Sequence, residues 1–400
     1  MTGYNRIMNT NPRCSWFCLL PLLALIIGAL PLHADSPPDG QKRKPNVKLW
    51  KSEKEQGEAA FKDRQTTDAE IHFKAALAEA ENFDAKDYRL AESLTELGDF
   101  YTRVGNFADA EPLLQRAALV RKGDPNSLTE AHVQFLLGFT CLQLRHYDGA
   151  EKALLRAQEL YSRKSGHDSP SAVLCMFYLG ALYDDQHDYA KAETLLKRSA
   201  ALFEHPATRT INHKINDPAA SAGMDVWIGQ FRPNYVYAME ALARLGSLYA
   251  IQDRAAEADS SFKNAVRLLD ERLAKNDPAA PPALSQVTTL LLARTNYAGA
   301  EPFLKRLVAL DEKAQGPNQP ETLNAKNMLA AAYMYEGKFP EADATYKELI
   351  ATLEKASGEN KSPLIRTLNN YAALLHKMKR DSEADSIAAR AKALQAEADK

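Results

Sequence analysis

The feature that most constrains this chain is a pattern that returns eight times along its 400 residues. A small residue is followed twelve positions later by an alanine, and an acidic residue stands directly after that alanine. The eight pairs are Ala69-Glu70, Ala110-Glu111, Ala150-Glu151, Ala192-Glu193, Ala258-Asp259, Ala300-Glu301, Ala342-Asp343 and Ala384-Asp385. Successive alanines lie 40 to 42 residues apart, except for one gap of 66. Such a period predicts stacked structural units, and a surface for binding rather than an active site.

Each unit is predicted to be a pair of amphipathic helices joined by a tight turn. In the second unit, Leu94, Leu97 and Tyr101 recur at helical spacing before the turn at Gly105, and a second helical run follows. The small residue and the alanine are expected where the two helices approach most closely, because a larger side chain would overpack the crossing. Prolines mark the boundaries between units, since proline ends one helix and can begin the next. These boundaries are Asp124-Pro125, Ser169-Pro170, Asp277-Pro278, Gln319-Pro320 and Ser362-Pro363.

The units resemble those of the tetratricopeptide family, which carry Leu-Gly, a tyrosine three residues later and an alanine twelve residues after the glycine. The tyrosine position holds Tyr101, Tyr183, Tyr249 and Tyr333. The family's usual unit has about 34 residues, and the longer period here is similar to the kinesin light chain type. The segment from Thr367 to Leu374 resembles the helix signature of that type best. The resemblance implies an all-α, right-handed superhelical solenoid of about eight helix-turn-helix hairpins; it does not imply transport by kinesin.

The pattern divides the chain into segments. Repeats 1–4 are expected over residues 47–205 and repeats 5–8, with a C-terminal cap helix, over residues 233–400. An inserted loop, residues 206–232, separates them, and residues 35–46 form a polar flexible linker. Long loops inside compact arrays are uncommon without a function. Trp227 and Phe231 in the insertion either dock into a binding groove and gate it, or belong to a surface loop that only changes the curvature.

The N-terminal segment, residues 1–34, reads as a secretory signal peptide. Arg6 and Arg13 precede an apolar run from Trp16 to Leu32, and Ala34 offers the small residue that cleavage needs. The protein is therefore expected to be exported, periplasmic or secreted. The alternative is an uncleaved N-terminal helix that anchors it in a membrane, because about 17 apolar residues are just enough to span a bilayer.

Composition excludes some classes of partner and bonding. The chain carries 50 basic and 52 acidic side chains, whereas nucleic-acid binding usually requires a strongly basic face. Only Cys141 and Cys175 follow the signal segment, so no disulfide framework is expected and both are predicted to be buried free thiols.

The resemblance also implies where a partner binds, because the first helix of each hairpin lines the concave groove in this family. In repeats 3 and 4 the groove candidates are aromatic; they are Phe135, Phe139 and Phe177. In repeats 7 and 8 they are polar; they are Asn324, Asn327, Arg366, Asn369 and Asn370. The aromatic residues are alternatively core between helices, and the asparagines either bind a peptide backbone or join one helix to the next.

A different tetratricopeptide function, the clamp for a C-terminal carboxylate, is disfavoured. Lys54 stands at the position of the clamp's first lysine, but Glu58 replaces its asparagine partner and would repel a second carboxylate.

The sequence carries none of the common catalytic motifs: no phosphate-binding loop, no Gly-x-Ser-x-Gly elbow, no His-Glu-x-x-His and no Cys-x-x-Cys. No catalytic residue, metal or cofactor is therefore expected. The predicted function is a non-catalytic scaffold that binds a protein or peptide partner, without nucleic acid. The alternatives are a self-associating architectural protein of the envelope and a non-catalytic subunit of an enzyme complex.

Overall fold

The computed structural model of the protein describes residues 44–123, 127–204, 233–355 and 361–398. These residues form sixteen α-helices and no strand. The first eight helices are α1 (Val47–Lys62), α2 (Thr66–Ala80), α3 (Tyr88–Arg103), α4 (Phe107–Arg121), α5 (Ser127–Gln143), α6 (Tyr147–Ser165), α7 (Pro170–Asp185) and α8 (Tyr189–Glu204). The second eight are α9 (Asn234–Ile251), α10 (Ala255–Leu273), α11 (Ala280–Ala293), α12 (Tyr297–Gln315), α13 (Pro320–Tyr335), α14 (Phe339–Lys355), α15 (Ser362–Lys377) and α16 (Asp381–Ala398).

The helices pack as eight consecutive hairpins. Each odd-numbered helix, the first helix of its hairpin, packs along the even-numbered helix that follows it, and each hairpin packs against its neighbour in the chain. The predicted all-α solenoid of eight helical hairpins is therefore confirmed. None of the helices in the described ranges is both long and apolar enough to cross a bilayer.

Three predicted segments lie wholly or largely outside the described residues. They are the signal segment, residues 1–34, the linker, residues 35–46, and the insertion, residues 206–232, with Trp227 and Phe231. At the described end of the linker, Asn46 caps α1: its side-chain oxygen accepts from the backbone amides of Lys48 and Leu49, both at 3.1 Å.

The small residues sit where the helices of a hairpin cross. A methyl group added to Gly98 would lie 2.8 Å from the Leu114 side chain, and one added to Gly246 would lie 2.5 Å from the Phe262 ring. Both distances are shorter than a carbon–carbon contact, so the backbone approach requires glycine. The predicted reason for the small residue is confirmed at these crossings.

The hairpin turns share one backbone conformation. The second residue of every turn has a positive φ, in the left-handed region, although only two of the eight are glycine. These residues are Arg64, Gly105, Arg145, His187, Asp253, Thr295, Gly337 and Lys379. The turn geometry is therefore set by the packing of the two helices, and six non-glycine residues adopt it at a cost.

At six of the seven boundaries between hairpins, the acid that follows the alanine contacts the next hairpin. Glu70 accepts a hydrogen bond from the Tyr101 hydroxyl of the next hairpin at 2.8 Å. The same arrangement recurs at Tyr183 to Glu151 (2.6 Å), Tyr249 to Glu193 (3.1 Å), Tyr371 to Asp343 (2.9 Å) and Cys141 to Glu111 (3.6 Å). We call each such acid, with the groups that contact it from the next hairpin, a joint carboxylate. At the sixth joint Glu301 instead pairs with Lys338.

The joint between hairpins 5 and 6 differs from the others. Leu291 occupies the tyrosine position, and the side chain of Asp259 is 61% exposed and pairs with Lys263 on its own helix at 2.6 Å. Phe262 packs there instead: a methyl group added to Gly299 would lie 2.5 Å from its ring. At this boundary the Phe262 ring thus makes the contact between hairpins that a joint carboxylate makes elsewhere.

Both cysteines that follow the signal segment are buried and free, as predicted. Burial, together with the nearby Glu111 carboxylate, raises the pKa of the Cys141 thiol to about 12. Since the reactive form is the thiolate, this thiol is inert at neutral pH.

Candidate functional site

The surface with the most convergent polar groups is built by the first helices of the hairpins. We call it the first-helix face: the side chains of odd-numbered helices that reach from one first helix to the next. It contains an acidic zone on α1, α3 and α5, an ionic network on α7, α9 and α11, and an amide zone on α13 and α15.

The amide zone brings together the polar residues predicted for repeats 7 and 8. Arg366 on α15 donates to the Asn324 side-chain oxygen on α13 at 3.0 Å, and Asn370 donates to Asn327 at 3.4 Å. Asn324, Arg366 and Asn369 are exposed, whereas Asn327 is buried. The zone both joins the two helices and presents amide and guanidinium groups to solvent.

For two of the three aromatic groove candidates, the structure favours the core alternative. Phe135 and Phe177 are 0% exposed, so they belong to the core and are not surface contacts. Tyr237 of α9 packs against Phe177 with ring centroids 5.5 Å apart, and Tyr178 packs against Phe135 at 5.7 Å. Phe139 is half-buried, with its ring centroid 5.2 Å from that of Tyr178. The helices are rotated so that the phenylalanines face neighbouring helices.

The central ionic network spans three hairpins. The Asp184 side chain on α7 is 0% exposed, and its Oδ2 lies 3.1 Å from Arg244 Nη1 on α9 and 2.9 Å from Arg294 Nη2, directly after α11. Asp185 pairs with both arginines as well, at 3.3 and 2.6 Å. A buried carboxylate requires such pairing, so these contacts fix hairpins 4, 5 and 6 against one another.

The acidic zone begins with one lysine among three carboxylates. The Lys54 ammonium on α1 lies 2.9 Å from Glu96 Oε1, contacts Glu92 on α3, and lies 3.9 Å from Glu58 Oε1. Burial raises the pKa of Glu96 to about 8, even though Lys54 opposes this shift. The Lys54 ammonium is thus shared among carboxyl groups of α1 and α3.

The zone continues along α3 towards α5. Asp99 Oδ2 lies 2.7 Å from Arg103 Nε, and the half-buried ring of His132 on α5 lies near both residues. Burial lowers the pKa of His132, so the imidazole is neutral at pH 7.

Beyond these geometric features, the sequence itself matches a family model. The tetratricopeptide repeat model matches residues 89–163, 129–205 and 321–397, which correspond to hairpins 2–4 and 7–8. The chain carries tetratricopeptide repeats. No curated protein matches it in sequence.

Solved structures similar to this tetratricopeptide chain include three with low sequence identity. BtubC (BKLC) from P. vanneervenii is 20% identical over 55% of this chain and 78% of its own, with a TM-score of 0.42. The kinesin light chain TPR-like repeats of Podosopora anserina are 18% identical over 66% of this chain and 96% of their own, with a TM-score of 0.34. A tetratricopeptide repeat protein from Parabacteroides merdae is 14% identical over 81% and 98%, with a TM-score of 0.42.

Sequence reasoning missed the acidic zone and the central network of this tetratricopeptide chain. A signal for the acidic zone was present: Glu92, Glu96, Asp99 and Arg103 recur at helical spacing around Gly98 on the face towards the neighbouring first helices. Arg244 and Arg294 gave no such signal, because their partners lie 59 to 110 residues away in sequence.

The three zones offer ion pairs and hydrogen bonds along a row of helices. Within the described ranges, no group of three or more His, Cys, Asp or Glu side chains is arranged to hold a metal ion. The groups that the first-helix face offers are charges and hydrogen-bond donors and acceptors.

Proposed function

We propose that this chain is an exported, non-catalytic tetratricopeptide scaffold that binds a protein or peptide partner along its first-helix face. The observation that carries the proposal is the amide zone, where Asn324, Arg366 and Asn369 stand exposed on adjacent first helices. Amide and guanidinium groups in such a row can hydrogen-bond the backbone of an extended peptide.

The spacing of the helices supports an extended ligand. Neighbouring helix axes lie about 8–10 Å apart, so successive first helices present equivalent positions at regular intervals. A ligand that crosses several hairpins gathers many weak contacts, which suits a peptide better than a small molecule enclosed in one pocket. Export is supported by the charge, apolar run and small residue of the first 34 residues.

Site-specific photo-crosslinking tests the binding surface. A photoreactive phenylalanine analogue replaces Asn369 in the full chain expressed in its native cells, and the matched control replaces Leu119, which is 74% exposed on a second helix, α4. We expect a discrete adduct from position 369 and none from position 119, with both proteins folded by circular dichroism. Adducts that form equally at both positions, or only at 119, would contradict the proposal.

Export is tested on the same native material. N-terminal sequencing of the recovered protein is expected to begin at Asp35, because cleavage after Ala34 removes the apolar run. A protein that begins at Met1 and remains in the cytoplasmic fraction would contradict export, whereas an intact N-terminus in the membrane fraction would support the anchored alternative.

A further inference from the structure

The acidic zone on α1, α3 and α5 has more carboxylates than its own cations balance. Glu58, Glu92, Glu96 and Asp99 face Lys54 and Arg103, so four carboxyl groups meet two cations; with Glu96 protonated at pH 7, one negative charge remains unbalanced. The side chains of Glu96 and Asp99 are only 22% and 18% exposed. An acid excess at partly buried positions favours a cationic ligand.

A second observation concerns hydrogen bonds rather than charge. Glu96 Oε2, Asp99 Oδ1 and His132 Nδ1 are buried and have no hydrogen-bond partner among the described residues. All three can accept a hydrogen bond, since His132 is neutral. Buried acceptors without donors are costly, so these three atoms favour a ligand that donates hydrogen bonds.

We propose that the acidic zone binds an ammonium group, namely a lysine side chain of the partner, with Glu96, Asp99 and His132 as the accepting residues. The proposal rests on the scaffold function above and names the chemistry of its partner. A primary ammonium supplies three N–H donors and one positive charge. The donors can satisfy the three buried acceptors, and the charge balances the excess negative charge of the zone.

Lys54 shows within the chain how this zone holds such a group. Its ammonium is shared by Glu58, Glu92 and Glu96 from two neighbouring helices. A partner lysine approaches the same carboxylates from the side of Asp99 and His132, one turn further along α3. Glu96 and Asp99 are three residues apart, so they lie on the same side of the helix.

The protonation of Glu96 gives the site a measurable signature. The groups that face this carboxyl are Lys54 and Glu58 from α1 and Glu92 from α3. Burial raises its pKa to about 8 against the opposing charge of Lys54, and the Glu92 and Glu58 carboxylates add to the rise. At pH 7 the carboxyl carries a proton. An incoming ammonium favours the carboxylate, so the proton passes from Glu96 to the buffer as the ion pair forms.

Calorimetric titration with a defined probe tests the site. Hexalysine is titrated into the full chain at pH 7 and low salt, and compared with hexalysine acetylated at every ε-amine and with spermidine. We expect hexalysine to bind, acetylated hexalysine to bind at least tenfold more weakly, and the binding enthalpy to change with the ionisation enthalpy of the buffer. Spermidine that binds as tightly as hexalysine would contradict the assignment to a peptide side chain.

The variants separate this site from general electrostatics. The double variant Glu96→Gln, Asp99→Asn is expected to lose at least tenfold in affinity for hexalysine, and Glu96→Gln alone is expected to abolish the buffer dependence. The control Asp259→Asn, Asp385→Asn makes the same number of carboxyl-to-amide changes at side chains that are 61% and 79% exposed elsewhere, and is expected to bind like the wild type. Equal losses in both double variants would overturn the ammonium site, while the crosslink at position 369 tests the scaffold function independently.

Discussion

At the scale of single residues, the hairpin turns hold several residues in an unfavourable backbone conformation. Six turns place a non-glycine residue in the left-handed region, which costs an L-residue about 1–2 kcal/mol. Thr295, with φ of 54°, is the least suited of these because its side chain is β-branched. The native packing of α11 against α12 imposes this conformation. The conformational cost therefore arises from hairpin packing and does not mark a binding site.

Thr295→Gly is therefore expected to stabilise the protein by about 0.5–1 kcal/mol, because glycine adopts positive φ freely although it is more flexible when unfolded. The matched control is Thr289→Gly, the same change at an exposed position within α11, which is expected to destabilise by about 0.5 kcal/mol. Thermal unfolding followed by circular dichroism measures both. A lower melting temperature for Thr295→Gly would show that the turn is not strained.

Glu96 gives a pH dependence of stability with a definite sign. Its pKa is raised from 4.5 to about 8, so the folded state holds this proton more tightly than the unfolded chain does. The stabilisation is complete below pH 4.5 and is lost as the pH rises towards 8. We expect this pH-dependent loss of stability to be absent in Glu96→Gln. The free energy of unfolding of the variant should therefore exceed that of the wild type by an amount that grows from pH 5 to pH 8. Parallel pH profiles for the two proteins would refute the raised pKa.

At the scale of helices, the joint carboxylates connect hairpins that the sequence pattern shows only as repeats. Glu193 on α8 accepts from Tyr249 at 3.1 Å and from Arg254 at 2.8 Å, both in the next hairpin, and from Lys197 on its own helix. The hydrogen bonds from Arg254 and Lys197 lower the pKa of Glu193 to about 2. At this joint the acid of the alanine–acid pair is thus an acceptor between units.

Glu193→Gln is expected to destabilise the protein by about 1–2 kcal/mol at pH 7, since hydrogen bonds to a charged acceptor are stronger than those to a neutral one. Because the folded pKa is depressed, the difference from the wild type is present above pH 4.5 and disappears as the pH falls towards 2. Asp259→Asn is the matched control, since Asp259 pairs only along its own helix and should cost less than about 0.5 kcal/mol. Urea unfolding at several pH values measures the free energy of unfolding of both variants. Equal losses of stability at pH 7 in Glu193→Gln and Asp259→Asn would contradict a stabilising role for the joint carboxylate.

These helices also show what could be predicted from the sequence. The hairpins were predictable because the small residues and alanines act within one unit, at fixed spacing along the chain. The role of Glu193 was not, because its partners lie 56 and 61 residues away in sequence, on the other side of residues 206–232. For Phe135 and Phe177 the sequence left both groove and core open, because a small rotation of a helix moves a side chain from the open face to the neighbouring helix. The polar residues of α13 and α15 were placed correctly on adjacent helices.

At the scale of the described array, the hydrophobic core is divided unequally. One cluster runs from Trp50 in hairpin 1 to Ala332 in hairpin 7, and a smaller one lies in hairpins 7 and 8, from Leu323 to Ala391. In α7, 14 of 16 residues are buried, whereas in α16 only Ala384 and Ala391 are. Since stacked repeats gain stability from their neighbours, local stability should be greatest near α7 and least at the C-terminal end.

Native-state hydrogen exchange tests this division. We expect the slowest amides in α7 and α9 and faster, mutually similar exchange in α15 and α16. Leu368→Ala, at a fully buried position of the smaller cluster, should accelerate exchange in hairpins 7 and 8 and leave α7 unchanged, because a buried Leu→Ala change costs about 2–5 kcal/mol where it acts. The matched change Leu174→Ala in α7 should instead accelerate exchange in α5 to α9. If either substitution accelerated every helix equally, the array would unfold as one cooperative unit, and the two clusters would be a single core in energetic terms.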